Sequence, residues 1–79
     1  MTVFFSKEIE FPTGDREDVD FYASFDNHEH RLDEIGLVDP GVYAPKDLTY
    51  LLNLIETDRK ELDKLAWDMY NFSVEWWKI

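Results

Sequence analysis

From Val3 to Phe11 the chain alternates. Val3, Phe5, Ile9 and Phe11 fall on one side together with Lys7, and Phe4, Ser6, Glu8 and Glu10 fall on the other. A period of two is the signature of a strand with one buried face. Val19, Phe21, Ala23 and Phe25 alternate in the same way with Asp18, Asp20, Tyr22, Ser24 and Asp26, which predicts a second strand. Pro12-Thr13-Gly14-Asp15 carries turn chemistry between them. The pair therefore reads as an antiparallel hairpin. Its connection, taken to include Arg16 and Glu17, is longer than a tight turn. Phe5, Ile9, Phe11, Val19, Phe21 and Phe25 are the predicted core face. Phe4 is stranded on the polar side, where only a contact with Tyr22 or a partner would use it.

The pattern changes period after Pro45. Leu48, Leu51, Leu52, Ile55, Leu62, Leu65, Ala66, Met69, Phe72 and Trp76 recur at three, four and seven positions, as on one face of a helix. Pro45 suits a first helical turn, and Asp47 suits the N-cap or that turn. The stripe thins at Asp58 and Arg59. Asp58-Arg59-Lys60-Glu61 reads as a capping box that starts a second helix. Alternatively, Glu56–Lys60 and Arg59–Asp63 are i,i+4 pairs that carry one helix across the gap. No Gly or Pro interrupts the run, which favours one long helix to about residue 76, spanning roughly 45 Å at ~1.5 Å per residue. Phe72, Val74 and Trp76 also alternate as a strand would.

Between these elements, His30 to Leu37 fits a short helix closed by Gly36, with Leu32 and Ile35 inward, or a third edge strand. Asp39-Pro40-Gly41 is a turn, and Pro45 holds Ala44 extended. The predicted architecture is α+β: an N-terminal antiparallel hairpin, with a third strand as an option, packed on one long C-terminal helix. With 79 residues, the chain is expected to form a single domain, close to the size at which one core is barely sufficient.

Charge changes this picture. There are 18 acidic and 8 basic residues, net −10. Residues 1–45 hold 11 acids and 3 bases, net −8, whereas residues 46–79 hold 7 acids and 5 bases, net −2. The acidity belongs to the N-terminal half. Direct nucleic-acid binding is disfavoured, because phosphate contacts need clustered Lys and Arg. A basic partner is favoured, because a field of one sign steers the opposite sign. At 44 % hydrophobic and 16 % aromatic, this is a folding sequence and not an acidic disordered tail. With no cysteine, disulfide and thiolate chemistry are absent. No apolar run approaches a membrane span and no signal-peptide pattern follows Met1, so a cytoplasmic, non-membrane protein is expected.

Candidate chemistry is sparse. Glu8, Glu10, Asp18, Asp20 and Asp26 are predicted to share the hairpin face away from the core. Carboxylates two apart on a strand are about 6.7 Å from each other and strands about 4.8 Å apart. Such a grid resembles the charge repeat of a nucleic-acid backbone more than an acid/base pair. Like charges opposite each other destabilise a sheet. The same carboxylates would equally serve as a solvating surface. Tyr22 and Trp77 are candidate aromatic contacts at such a face or at the helix rim. His28-Glu29-His30, flanked by Asp26 and Asp33, is the nearest approach to a metal motif, but a stable site needs three or four convergent ligands. No metal and no cofactor is expected. There is no phosphate-binding Gly loop and no nucleophile in a recognisable setting, so the sequence predicts no enzyme.

In size, charge, absent cysteine and the carboxylate-rich strand face of Glu8, Glu10, Asp18 and Asp20, the chain resembles small acidic phage-encoded inhibitors of the anti-CRISPR, anti-restriction and DNA-glycosylase-inhibitor kinds. The resemblance spans the chain as composition. It implies a non-enzymatic inhibitor that competes with DNA or RNA for a basic nucleic-acid-binding protein or complex, in the host cytoplasm. The alternative is a structural or assembly module in which the helix and C-terminal aromatics, Trp76 and Trp77, drive homodimerisation or docking to a larger subunit.

Overall fold

The computed structural model describes residues 1–77, with side chains described as far as Val74. Three strands, β1 (Thr2–Glu10), β2 (Arg16–Asp26) and β3 (Arg31–Leu37), are followed by a 3-10 turn (Pro40–Val42) and two helices, α1 (Pro45–Thr57) and α2 (Arg59–Trp77). The strands form one antiparallel sheet in the order β1-β2-β3. Both helices lie on one face of it, and the fold is α+β.

The β1–β2 hairpin is the predicted one with a shorter connection. Arg16 and Glu17, expected in the loop, extend β2 and pair with Glu10 and Ile9. The loop is Phe11–Asp15, closed by Phe11 N–H to the Asp15 carbonyl at 2.8 Å and Gly14 N–H to the Phe11 carbonyl at 2.8 Å. Gly14 takes φ +92 there, a conformation that L side chains rarely adopt.

The middle segment is a third strand, and the short-helix alternative falls. Phe21 pairs with Leu37, Ala23 with Ile35 and Phe25 with Leu32, with an irregularity at Ser24/Phe25. Gly36 is a strand residue and not a helix cap. The Tyr22 ring occupies the space a Cβ would need, 2.6 Å from where that Cβ would sit.

The predicted core face, Phe5, Ile9, Phe11, Val19, Phe21 and Phe25, is buried, Val3 and Ala23 join it, and all meet Leu51, Ile55, Leu62, Ala66 and Tyr70 from the helices. Phe5 and Phe21 stack at 5.4 Å, and Phe25 lies against both Tyr70 (4.3 Å) and Trp67 (4.9 Å).

The single long helix is corrected to two. They meet at Asp58, whose φ −107 and ψ 28 leave the helical region. Hydrogen bonding runs through the joint, from Asp58 N–H to Leu54 and from Leu62 N–H to Asp58. Laid end to end, 13 and 19 residues span about 48 Å at ~1.5 Å per residue. The molecule's long axis is 44 Å, so α2 runs onward from α1 and does not fold back on it. The joint is tied to the sheet. Lys7, the one charge on the inner face of β1, places Nζ 2.7 Å from Asp58 and 2.8 Å from Glu61. Burial disfavours its charge, but the hydrogen bonds and charges of the two carboxylates outweigh that and raise its pKa above 10.5.

The break also corrects the stripe. Leu51 and Tyr70, nineteen positions apart, would point about 100° apart on one straight helix at ~100° per residue. Each helix instead aims its own seam at the sheet. Tyr70, outside the predicted stripe, is buried, while Leu52, Met69 and Phe72, within it, are exposed. The strand reading of the C-terminal segment falls, since α2 continues to Trp77.

Candidate protein-binding face

Because both helices pack on one side of the sheet, its other side is open. The strand register builds that surface row by row. Thr2 stands opposite Ser24, Phe4 opposite Tyr22, Ser6 opposite Asp20, Glu8 opposite Asp18 and Glu10 opposite Arg16. Gly36 stands beside Tyr22 and Glu34 beside Ser24 on β3. Four of the five carboxylates singled out from the sequence, Glu8, Glu10, Asp18 and Asp20, come together here and are exposed.

Local bonds fix this array. Ser6 Oγ donates to Asp20 Oδ1 at 2.6 Å. Arg16, the one base in these rows, lies 3.6 Å from Glu8. Negative charge from this end of the sheet also reaches Tyr43, which packs against the core. Its hydroxyl is held above 10.0, first by burial and then by the charges of Glu17, Asp20 and Asp39.

Asp26 stands apart. It is half-buried at the far end of β2, and its Oδ1 accepts the N–H groups of His28 (2.9 Å) and Glu29 (3.3 Å). That is an Asx-type turn, which occupies the carboxylate locally. The Trp77 side chain lies outside the described residues.

Tyr22 is on the face, but its ring turns toward β3. It covers Gly36, and its hydroxyl donates to Glu34. That hydrogen bond, followed by burial and the Glu34 charge, raises the Tyr22 pKa above 10.0. Phe4 is left 60 % exposed as a result. A shallow depression of ≈ 220 Å³ lies beside it, lined by Phe4, Phe5, Ser6, Asp20 and Val38. An aromatic ring next to a carboxylate suits a cationic side chain, which gains from the ring face and the charge together. Sequence reasoning placed Phe4 on this side, with a contact to Tyr22 or a partner as its only use. It missed Val38 and Glu34, which join the face only once the third strand is recognised.

His28 and His30 fall in the turn between β2 and β3. His30 adopts φ +51, and its Nδ1 shares a 2.9 Å hydrogen bond with the buried Tyr70 hydroxyl. The ring thus clips the turn to α2. Among the described residues no three His, Asp or Glu side chains converge as a metal site would require, and no helix is long and apolar enough to cross a membrane.

Fold and surface together define a small α+β domain with a three-stranded meander, helices on one side and an open acidic-aromatic face on the other. No family model, curated protein or solved structure matches the chain.

Proposed function

We propose that this protein is a non-enzymatic inhibitor that binds a basic, nucleic-acid-binding surface of another protein through the open sheet face. The observation that carries the reading is Phe4. A large aromatic exposed beside Asp20, on the same face as Glu8 and Asp18, is an anchor of the kind that concentrates binding energy at interfaces. A purely solvating surface gains nothing from it. Carboxylates about 6.7 Å apart along β1 and β2, on strands about 4.8 Å apart, offer a partner's Lys and Arg an array like that of phosphates. Asp20 and Phe4 take a cationic side chain at the centre; Glu8, Glu10 and Asp18 extend the contact toward the hairpin loop.

The experiment is capture of partners from a bacterial lysate on the tagged protein, with elution by salt and by duplex DNA or RNA. The expected result is a basic nucleic-acid-binding protein that leaves at moderate salt, is displaced by nucleic acid and is lost with the Glu8→Lys/Asp20→Lys double variant. A partner held through high salt and indifferent to that variant would sink the reading.

Exposed Met69 and Phe72 on α2 favour a second reading, an assembly module that docks through the helix. It predicts the reverse: Phe72→Ala weakens the complex, and Glu8→Lys/Asp20→Lys leaves it intact.

A further inference from the structure

The sheet has two edges, and they are not equivalent. An exposed edge strand is a template for pairing with another chain, and inward-pointing charges guard against it. β1 carries such a guard in Lys7, which points inward to Asp58 and Glu61. β3 has no charge on its inner face between Glu34 and Leu37, where Ile35 and Leu37 are buried. Beside this stretch runs an open groove of ≈ 580 Å³, whose lining includes Glu34, Ile35, Leu37, Leu52, Glu56 and Arg59. Leu52, 51 % exposed, forms an apolar wall of that groove.

Backbone polarity along this edge follows from one bond. Val38 N–H donates to the Asp20 carbonyl at 3.2 Å. In an antiparallel ladder, bonded and non-bonded pairs alternate. Gly36–Tyr22 and Glu34–Ser24 are then the bonded pairs, and the N–H and C=O groups of Ile35 and Leu37 point away from β2, into the groove. An incoming strand would find two donors and two acceptors there, with Leu52 beneath and Glu34 above.

We propose that the free edge of β3 from Glu34 to Leu37 accepts an extended, positively charged segment of a partner protein as a fourth strand. Charge selects this occupant. Of the charged groups at the groove, Glu34 and Glu56 are acidic, and Arg59 is bonded to Asp63 at 2.6 Å. A second copy would bring its own net −10 against Glu34 and Glu56. The edge adjoins the open face and shares Glu34 and Tyr22 with it, but not Phe4, Asp20, Glu8 or Asp18, and it rests on the proposed function only for the sign of the partner's charge.

The test uses the whole chain and capped alternating Lys-Val peptides of about eight residues, within ordinary strand length. One is unmodified, one is N-methylated on alternate residues, and one has Glu for Lys. Amide hydrogen exchange is followed residue by residue. In the free protein, Ile35 and Leu37 exchange fast while Glu34 and Gly36 are protected. The unmodified peptide at saturation slows Ile35 and Leu37 by roughly tenfold or more, and the other two peptides do not. Leu52→Lys weakens the effect, and Glu8→Lys/Asp20→Lys leaves it in place, which separates this edge from the Phe4 face. Unchanged exchange at Ile35 and Leu37, or equal slowing by the N-methylated peptide, overturns the proposal.

Discussion

Single side chains decide features that the pattern leaves open. Lys7 occupies an apolar register position, yet it is not an error in the strand. Its ammonium joins β1 to the joint between the helices at Asp58 and Glu61. Its folded-state pKa is raised above 10.5, so its contribution is complete below that pH and is lost as pH rises through the raised value. Lys7→Met is expected to cost about 1 kcal/mol at neutral pH, the scale of a partly solvated ion pair. The gap from the parent protein should close above pH 10.5 in denaturant titrations; a gap independent of pH would mean that Lys7 acts only by packing. Gly36 makes a second case. A Cβ there would meet the far end of the Tyr22 ring at 2.6 Å, a group that swings aside at little cost. Gly36→Ala should change stability by less than about 1 kcal/mol, the lost hydrogen bond offset by the stiffer unfolded chain. It should also break the Tyr22–Glu34 bond. The Tyr22 pKa would then fall back toward 10.0, read as tyrosinate absorbance against pH.

At the scale of elements, strands β1 and β2 were legible because period-two alternation and turn chemistry agree over the whole hairpin. The third strand was ambiguous because Gly36 reads as a helix stop, and only the Tyr22 ring across the sheet explains a glycine within a strand. The helix break was legible only as the alternative, from the thinning stripe and the Asp58-Arg59-Lys60-Glu61 pattern, and the two-helix reading is the one that holds. No Gly or Pro marks Asp58, which is why one helix was favoured, and the Lys7 contact at the joint comes from far away in sequence. The stripe misled in turn, since a three-and-four repeat drawn through a bend assigns Leu52, Met69 and Phe72 to a face they do not share. Packing tests the corrected seam. Leu62→Ala, at a fully buried position, should cost about 2–5 kcal/mol. Phe72→Ala, at a side chain 62 % exposed, should stay within about 0.5 kcal/mol. Equal losses in urea unfolding would restore the single-stripe helix.

For the molecule as a whole, the candidate face sets binding against stability. Glu8 and Asp18 stand directly opposite each other in the ladder, and the chain carries net −10. Opposed like charges cost a sheet a few tenths to about 1 kcal/mol, and self-repulsion of a highly charged domain adds to this. Arg16, near Glu8, relieves the strain at one end only. If the face is only a solvating surface, spacing the acids with lysines would solvate as well and hold better. Asp18→Lys should therefore stabilise the fold by about 0.5 kcal/mol, because it replaces a repulsive cross-strand pair with an attractive one. Salt should raise the melting temperature of the parent protein more than that of the variant, since screening relieves the repulsion that the substitution has removed. In the proposed function the same variant loses affinity for a basic partner. A more stable protein that binds less well is the pairing expected of a site kept for recognition. If Asp18→Lys destabilises the fold, the acidic rows are part of its support and carry no cost that recognition must explain.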